Sequence, residues 1–368
     1  MKALILSCNT GQGHNTAGKA VLEALQLRGV PCEMKDALSF GGERTSVRVS
    51  GSYIRITQAV PSLFGRLYRA GALISSCRHK SPVYFANTLY ADRLSRYITE
   101  NGFDIILSPH LFPAEALTFL RRKRGLRVRS YGIATDYTCS PFWEETDVDR
   151  FFIPHEALRP EYESKGFAPQ RLLATGIPVS RAFREKKSVA EARGELGLSC
   201  AGRVFLMMTG SMGFGDVPEL TQALLARVAP DDRILILAGR NERLAARLRA
   251  KYGADERVRL VPFTRRVPLY MDACDVLLSK PGGLSSTEAA AKNVPLVHTA
   301  PIPGCETANA HLFAMRGLSI ATRTPQESAE AAVYLAGDEG AKRRQLEAQR
   351  SFVNAAAADD IVNALLRG

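Results

Sequence analysis

The stretch SKPGGLSSTEAA, residues 279–290, joins a short apolar run to an alanine-rich one through two glycines and three hydroxyl side chains. The run before it, DVLLS (275–279), is bounded by turn residues and predicts a buried strand. Good helix formers follow, Asn293 is typical of a helix end, and VPLVHTA (294–300) predicts the next strand. A strand, a glycine turn, a helix and a strand in this order indicate a doubly wound parallel sheet.

The same stretch predicts an anion site, because a helix N-terminus at the carboxyl edge of a sheet presents unpaired backbone N–H groups. Gly282 and Gly283 would let an anion approach the backbone closely. Glu288 would repel a phosphate unless it reaches past it to the hydroxyls of a sugar, so the segment indicates a nucleotide with a ribose. The hydroxyl donors could be Ser285, Ser286 and Thr287. An ordinary helix start with Ser/Thr caps explains these residues equally well.

Composition indicates a two-domain protein with ample apolar residues for both cores, since 46% of the 368 residues are hydrophobic. The seven cysteines are odd in number and include no C-x-x-C pair, which favours a reduced, cytoplasmic protein over a disulfide framework or a zinc site. The N-terminal apolar run ALIL is too short for a signal peptide, and no stretch of about 18 apolar residues could span a bilayer. We therefore expect a soluble or peripheral protein.

The net charge of +12 is unevenly placed. Residues 1–130 hold 19 Lys/Arg against 8 Asp/Glu, a balance of +11, which indicates a polyanionic partner such as an anionic membrane surface or a nucleic acid. Two stretches concentrate this charge, RRKRGLRVR (121–129) and the region from Arg44 to Lys80. The first is equally consistent with a solvated helix end.

The second basic stretch contains PSLFGRLYRAGALI (61–74), in which apolar and basic residues interleave at a spacing typical of a helix lying in a bilayer interface. A surface helix packed on the core accounts for the pattern as well. The residues expected at an acceptor or membrane surface are Phe64, Arg66, Tyr68 and Arg69.

Strand and helix patterns alternate along the whole chain. KALILS, DIILSPH, RVRSYGIATD and DRFFIP predict buried strands in the first half, and RVFLMMTG, RILILAG and VRLVPF do so after about residue 200. Two successive runs of this kind predict an α/β protein of two doubly wound parallel-sheet domains. The polar stretch at 176–200 contains the boundary, which we place between residues 180 and 181.

Each half has a glycine-rich loop after its first strand. In the second half it is TGSMGFG (209–215), whose Gly210 and Ser211 would lie beside the KPGG turn. In the first half it is NTGQGHNTAG (9–18), which departs from the dinucleotide fingerprint because Thr16 occupies the place of the third glycine. Asp36, at the end of the second predicted strand, leaves an NAD site as a weaker alternative.

Two single residues and one triplet are candidates for a catalytic or metal-binding role. His14 lies in the first turn of the first predicted helix, where the helix dipole would lower its pKa and leave it neutral and able to accept a proton. Asp136 ends a predicted strand and could line the same cleft or cap a helix. The triplet DVD (147–149) matches the D-x-D that holds a metal on a sugar nucleotide, but it immediately precedes a strand and we interpret it as a turn.

Taken together, the motifs resemble a known family. These are NTGQGHNTAGKA, PSLFGRLY, ATDYTCSPFW, GIPVS, KPGGLSSTEAAAKNVPLV and PIPGCETANA, which follow one another from residue 1 to about 320. They are similar to the monogalactosyldiacylglycerol synthase and processive diacylglycerol glucosyltransferase group of glycosyltransferase family 28. The resemblance implies the GT-B architecture of two facing Rossmann-like domains, with residues 1–180 taking the acceptor and 181–368 the UDP-sugar, and the last helix able to return to the first domain.

The resemblance also implies roles for individual residues. His14 would face the acceptor beside Gly13, with Asp136 as a second catalytic candidate, although Gly18 stands where the family pattern has alanine. Phe263 and Val267 would flank the uracil. The remaining donor-binding residues would be Gly210, Ser211, Lys280, Gly282, Gly283, Ser285 and Ser286 around the diphosphate, Glu288 on the ribose, and Glu306 and Asn309 on the sugar.

The expected activity is inverting transfer of a hexose from UDP-glucose or UDP-galactose to diacylglycerol or a glycosyl-diacylglycerol, without a metal or other cofactor. The expected location is cytoplasmic, at the inner face of the cell membrane, on an anionic lipid surface. The alternatives are a lipid-linked N-acetylglucosaminyltransferase of peptidoglycan synthesis, a UDP-sugar epimerase and a nucleic-acid-binding protein. We expect no nucleic-acid partner, because the chain lacks a recognisable nucleic-acid-binding module.

Overall fold

The computed structural model describes residues 1–9, 11–42, 80–210 and 216–367, and in these ranges it contains two six-stranded parallel sheets. The predicted α/β class with two doubly wound sheets is thereby confirmed. The strands are β1 (Ala3–Ser7), β2 (Cys32–Asp36), β3 (Ile105–Ser108), β4 (Arg129–Ile133), β5 (Arg150–Ile153), β6 (Leu172–Ala174), β7 (Val204–Met208), β8 (Arg233–Leu237), β9 (Val258–Val261), β10 (Val276–Ser279), β11 (Leu296–His298) and β12 (Ile320–Ala321).

Helices connect these strands. The helices of the described residues, numbered in chain order, are α1 (Gln12–Leu27), α2 (Pro82–Thr88), α3 (Ala91–Glu100), α4 (Leu111–Arg124), α5 (Arg159–Ser164), α6 (Val189–Leu196), α7 (Val217–Leu225), α8 (Glu242–Tyr252), α9 (Val267–Ala273), α10 (Gly283–Ala291), α11 (Cys305–Met315), α12 (Pro325–Gly337), α13 (Glu339–Phe352) and α14 (Ala357–Leu366). None of them is both long and apolar enough to cross a bilayer.

The sheets have the strand orders β2-β1-β3-β4-β5-β6 and β12-β11-β10-β7-β8-β9. In the first sheet Ile5 of β1 aligns with Met34 of β2 on one side and Leu107 of β3 on the other. The central strands are fully buried apolar runs, such as ALILS in β1 and VLLS in β10, as expected for strands covered on both faces. Because all strands are parallel, the loops that follow them gather at one edge of each sheet.

The chain forms two compact units. The first comprises Met1–Arg181, Pro303–Cys305 and Asn354–Gly368, and the second comprises Ala182–Ile302 and Glu306–Val353. The last helix, α14, therefore belongs to the first unit. There it buries Ile361, Val362 and Leu365 in the same apolar cluster as Val21 and Leu25 of α1. Each such side chain contributes about 1.5–3 kcal/mol by its removal from water.

Close packing of α1 on the first sheet explains the glycine that departs from the family pattern. A Cβ atom on Gly18 would lie 3.0 Å from Cε of Met34 and 3.2 Å from Cγ2 of Ile5. These distances are shorter than ordinary van der Waals contact, so an alanine would require Met34 or Ile5 to move. The glycine at this position therefore leaves room for the side chains of Met34 on β2 and Ile5 on β1.

The basic stretch 121–129 comprises the C-terminal turn of α4, the loop after it and the first residue of β4. The loop begins with Gly125 in the left-handed region at φ 69°. Positive side chains at a helix C-terminus are favourable because they oppose the helix dipole. Several are also paired: Arg122 bonds to Asp147, and Arg121 forms an ion pair with Asp149. The two carboxylates of the DVD triplet are therefore held by arginines directly before β5.

Candidate active site

The turn at the carboxyl end of β10 carries the candidate anion site. Helix α10 begins at Gly283, and its N-cap residue, Gly282, has no side chain that could cap the first turn. In contrast, α12 and α13 are capped by the side chains of Thr324 and Asp338. The first-turn N–H groups of α10 have no partner within their own helix, which makes this helix end suited to an anion.

An ion pair lies beside this turn. Nζ of Lys280 bonds to Oε1 of Glu306, whose Oε2 accepts a 3.0 Å hydrogen bond from the backbone N–H of Ile302. A Cβ on Gly210 would lie 3.0 Å from Cε of Lys280, and one on Gly282 would lie 3.8 Å from Oε1 of Glu306. The structure thus brings the ends of β7 and β10 and the start of α11 into one polar cluster, which combines residues predicted to bind the diphosphate and the sugar.

Asn309 occupies a different place from the predicted one. Its side chain is fully buried, and Nδ2 donates a 3.0 Å hydrogen bond to the carbonyl oxygen of Pro281. This bond ties α11 to the glycine turn. The structure therefore gives Asn309 a role in shaping the turn, and does not expose its amide to a sugar.

Two of the three hydroxyl side chains also point away from the anion site. Ser286 is fully buried with Oγ 2.9 Å from Nε2 of His298, and Oγ1 of Thr287 donates a 2.6 Å bond to the carbonyl oxygen of Gly283. Both residues are on the buried face of α10. The prediction that Ser286 and Thr287 donate to a phosphate is therefore not supported, and the half-buried Ser285 is the remaining hydroxyl candidate.

Glu288 is a nearly buried carboxyl group, 8% exposed, on the second turn of α10. Burial raises its pKa to about 8, so most of the population is protonated at pH 7. Within the described residues no hydrogen bond to this carboxyl is found. A ligand with hydroxyl groups would supply the missing partners.

A half-exposed aromatic ring lies at the β9 end of the same sheet edge. Phe263 follows β9 and is 53% exposed, and Val267 nearby begins α9. The guanidinium carbon of Arg240, which follows β8, lies 4.7 Å from the centroid of the Phe263 ring. Arg240 was not among the residues predicted from the sequence. The one feature of the sequence that points to it is its position directly after a predicted strand of the second sheet.

In the first unit His14 lies at the carboxyl edge, in the first turn of α1, next to Gly13. Its Nδ1 is 2.9 Å from the carbonyl oxygen of Pro109 and 2.9 Å from Oγ1 of Thr135. A carbonyl can only accept, so Nδ1 carries the hydrogen and Nε2 keeps its lone pair. The imidazole is thereby oriented as a base through Nε2.

The pKa of His14 is lowered, as expected, but the main cause is burial by the surrounding residues. The charge of Asp136 and the bond to Pro109 act in the opposite direction. Asp136, which follows β4, is therefore close enough to interact with His14. The sequence analysis attributed the lowered pKa of His14 to the helix dipole, whereas the structure attributes it to burial.

A second histidine beside His14 was not expected. The ring centroids of His14 and His110 are 4.6 Å apart in an edge-to-face arrangement. His110 is nearly buried, and its Nδ1 accepts a hydrogen bond of 3.1 Å from the N–H of Phe112 at the start of α4. Burial lowers the pKa of His110 well below the ordinary value, so it remains neutral.

Asp36 has a local structural role. Its carboxylate accepts hydrogen bonds from the N–H of Leu38 at 3.1 Å and from Nδ2 of Asn9 at 2.8 Å. It thus caps the turn after β2, which gives the weaker NAD alternative no support. The other predicted residues Ser211, Phe64, Arg66, Tyr68 and Arg69 lie outside the described residues.

Two models of known families match successive parts of the chain. The model for monogalactosyldiacylglycerol (MGDG) synthase matches residues 14–179, and the model for glycosyl transferases group 1 matches residues 218–355. The two matches lie in different halves of the chain and include His14 and the KPGG turn. The chain is a glycosyltransferase.

Curated relatives resemble this glycosyltransferase over nearly its full length. It is 26% identical to the processive diacylglycerol beta-glucosyltransferase of Bacillus subtilis (strain 168), over 93% of this chain and 89% of the relative. It is 24% identical to the protein of the same name from Bacillus cereus (strain AH187), over 99% of this chain and 93% of the relative. The resemblance to this glycolipid-synthase group is thereby confirmed.

Solved structures show the GT-B fold. The glycosyltransferase matches MurG of Acinetobacter baumannii with a TM-score of 0.62 and 14% identity, over 100% of both chains. It matches the glycotransferase of kitacinnamycin with a TM-score of 0.66 and 14% identity, over 100% of this chain and 98% of that one. A UDP-GlcNAc 2-epimerase from Neisseria meningitidis matches with a TM-score of 0.62, 14% identity and full coverage of both chains. The fold is therefore common to transferases and epimerases and does not distinguish them.

Proposed function

We propose that the protein transfers a hexose from a UDP-sugar to the hydroxyl of diacylglycerol or a glycosyl-diacylglycerol, with inversion at the anomeric carbon. The observation that carries the proposal is the glycine start of α10 beside the Lys280–Glu306 pair. With it goes the buried carboxyl of Glu288, for which the described residues provide no hydrogen-bond partner. It occurs in a chain whose relatives are named processive diacylglycerol beta-glucosyltransferases. Their name favours UDP-glucose as the donor, with UDP-galactose as the alternative.

In the proposed reaction Nε2 of His14 takes the proton from the acceptor hydroxyl. The oxygen attacks the anomeric carbon, the bond between that carbon and the UDP oxygen breaks, and its electron pair leaves on the β-phosphate. The tautomer fixed by Pro109 makes Nε2 the accepting nitrogen. The N–H groups of α10 and the ammonium of Lys280 would stabilise the negative charge on the departing UDP.

The diphosphate charge would be met by fixed N–H dipoles and Lys280, so the reaction as proposed requires no divalent metal. In the described residues no group of three or more His, Cys, Asp or Glu side chains could hold a metal ion. The two carboxylates of the D-x-D triplet are each paired with an arginine, Asp147 with Arg122 and Asp149 with Arg121.

We further propose that the enzyme acts as a peripheral protein at the inner face of the cell membrane, where its lipid acceptor resides. The support is the balance of +11 in residues 1–130 and the interleaved apolar and basic residues of 61–74. Positive charge and apolar side chains together favour an anionic lipid surface.

A product assay tests the function. The protein is incubated with radiolabelled UDP-glucose, UDP-galactose or UDP-GlcNAc over anionic liposomes that contain diacylglycerol, and the lipids are separated by chromatography. We expect a labelled hexosyl-diacylglycerol, which the His14→Ala variant forms far more slowly. Parallel incubations contain lipid I or no lipid, and a separate assay measures binding to RNA and to liposomes. Transfer of GlcNAc to lipid I alone, or epimerisation or hydrolysis of the UDP-sugar without lipid, would contradict the proposal. Salt-sensitive binding to RNA without binding to liposomes would also contradict it.

A further inference from the structure

Four residues that are predicted to bind the donor, together with the unpredicted Arg240, follow one another along the edge of the sheet in the second unit. The sheet order is β11-β10-β7-β8-β9 in this region. Glu306 is on α11, the helix that follows β11, and the strands β10, β7, β8 and β9 are followed within two to three residues by Gly282, Gly210, Arg240 and Phe263 in turn. From β10 to β9 there are three strand spacings, or about 14 Å. A nucleotide with its diphosphate at α10 would therefore extend its base toward β8 and β9.

Arg240 lies at the part of the sheet edge toward which that base would extend. In β8 and β9 the last aligned residues are Leu237 and Val261, so Arg240 and Phe263 are two to three residues beyond them on adjacent loops. Gly239, with φ at 63°, adopts the left-handed conformation that forms the turn before Arg240. The two side chains thus project from neighbouring strand ends.

The contact between these side chains leaves the guanidinium free to bind. The ring of Phe263 holds it at 4.7 Å, and Arg240 is exposed. In the part of the chain that the structure describes, the side chain of Arg240 forms no hydrogen bond or ion pair, and only its backbone carbonyl is bonded, to the N–H of Glu242. Its five N–H donors are therefore oriented by an aromatic face but have no acceptor.

We propose that Arg240 is a specificity-determining residue that recognises the uracil base, while Phe263 stacks on the base. This inference rests on the proposed binding of a UDP-sugar in the second unit and adds a residue to it. Uracil presents the carbonyl acceptors O2 and O4, whereas cytosine replaces O4 by an amino donor. A guanidinium has donors only, so it favours uracil over cytosine at that edge.

The test is calorimetric binding of UDP and CDP to the full chain and to two variants. Arg240→Met keeps the length and the apolar packing on Phe263 but removes all donors. Arg247→Ala is the matched control, because Arg247 is an exposed arginine on the adjacent helix α8. Circular dichroism and thermal unfolding check that the variants are folded, as expected for exposed positions.

We expect the unmodified chain to prefer UDP to CDP, and Arg240→Met to weaken UDP binding roughly tenfold or more while changing CDP binding little. The control should leave both affinities unchanged. An equal loss for UDP and CDP would overturn the inference, because Arg240 would then contribute charge to the diphosphate only. No change in either would also overturn it, as would equal binding of UDP and CDP by the unmodified chain. A chain that binds no UDP at all would instead contradict the proposed function.

Discussion

The Nδ1 atom of His14 lies 2.9 Å from the carbonyl oxygen of Pro109, which is 95 residues away in the sequence. This single contact fixes the tautomer of the imidazole and places the free lone pair on Nε2. We therefore predict that His14→Ala lowers turnover by roughly 10²- to 10⁴-fold, the usual contribution of a general base. UDP affinity should be nearly unchanged, because His14 belongs to the first unit.

The measurement is initial rate of glycolipid formation together with UDP calorimetry. His311→Ala is a suitable control, since His311 is exposed on α11 and belongs to the second unit. Turnover retained within about twofold in His14→Ala would remove His14 as the base.

Replacing Glu306 by glutamine should affect the sugar more than the nucleotide. The change removes the negative charge that pairs with Lys280 but keeps the shape of the side chain. We expect kcat/KM for the UDP-hexose to fall about 10- to 100-fold, whereas the dissociation constant of UDP alone stays within about threefold. Similar losses for UDP-hexose and UDP would show that Glu306 acts only by holding Lys280 in place.

Glu288 should make UDP binding dependent on pH. Burial raises its pKa to about 8 in the free protein, and hydroxyl donors from a ribose would favour the ionised form and lower that pKa. Binding should therefore release protons near pH 8, and affinity should rise as pH increases from 7.5 to about 9. Calorimetry in buffers of different ionisation enthalpy measures the released protons.

The Glu288→Gln variant should release fewer protons and bind UDP about tenfold more weakly. Glu347→Gln, on the exposed face of α13, serves as the control. If Glu288→Gln binds UDP as tightly as the unmodified chain, the carboxyl does not contact the ribose.

Glu115 should make folding stability decrease with rising pH. It is fully buried on α4, accepts a hydrogen bond from Nδ2 of Asn87, and has its other carboxyl oxygen without a partner in the described structure. Burial raises its pKa to about 8, well above the ordinary value of 4.5. Between these two values the folded state binds more protons than the unfolded state, so the free energy of unfolding falls as pH rises.

One such group contributes a slope of at most about 1.4 kcal/mol per pH unit. Urea unfolding at several pH values between 5 and 9 should show a shallower slope for Glu115→Gln than for the unmodified chain. The exposed Glu100→Gln variant on α3 should retain the original slope. Parallel curves for Glu115→Gln and the unmodified chain would contradict the assignment.

Removal of divalent metal should leave the reaction intact. Because the charge of the diphosphate is proposed to be met by the N-terminus of α10 and by Lys280, excess EDTA should change the rate by less than about twofold. A loss of activity restored by magnesium would show that the donor site needs a metal ion.

The elements of the fold could be predicted from the sequence because apolar runs and glycine turns are local signals. The KPGG turn and the start of α10 are of this kind. The helical period also predicts which hydroxyl side chains of α10 are buried. Ser286 and Thr287 fall on the same face as Ala290, which is buried, whereas Ser285 does not. A period of 3.6 residues per turn therefore distinguishes the two buried hydroxyls from the partly exposed one.

The contacts that set the chemistry could not be predicted in this way. Pro109 and His110 meet His14 because β3 lies beside β1, and Arg240 meets Phe263 because β8 lies beside β9. These neighbours depend on strand order, which one sequence does not reveal. Asn309 was assigned to the sugar by resemblance, but its position under the glycine turn became visible only from its bond to Pro281.

The return of α14 to α1 limits how the chain can be divided. A fragment that stops at Arg181 would lack Ile361, Val362 and Leu365. The apolar face of α1 that these side chains cover would then be exposed to water. Such a fragment should aggregate when expressed alone. Supplying 354–368 as a separate peptide, or grafting it through a linker, should recover a soluble acceptor half for crystallisation or lipid-binding work.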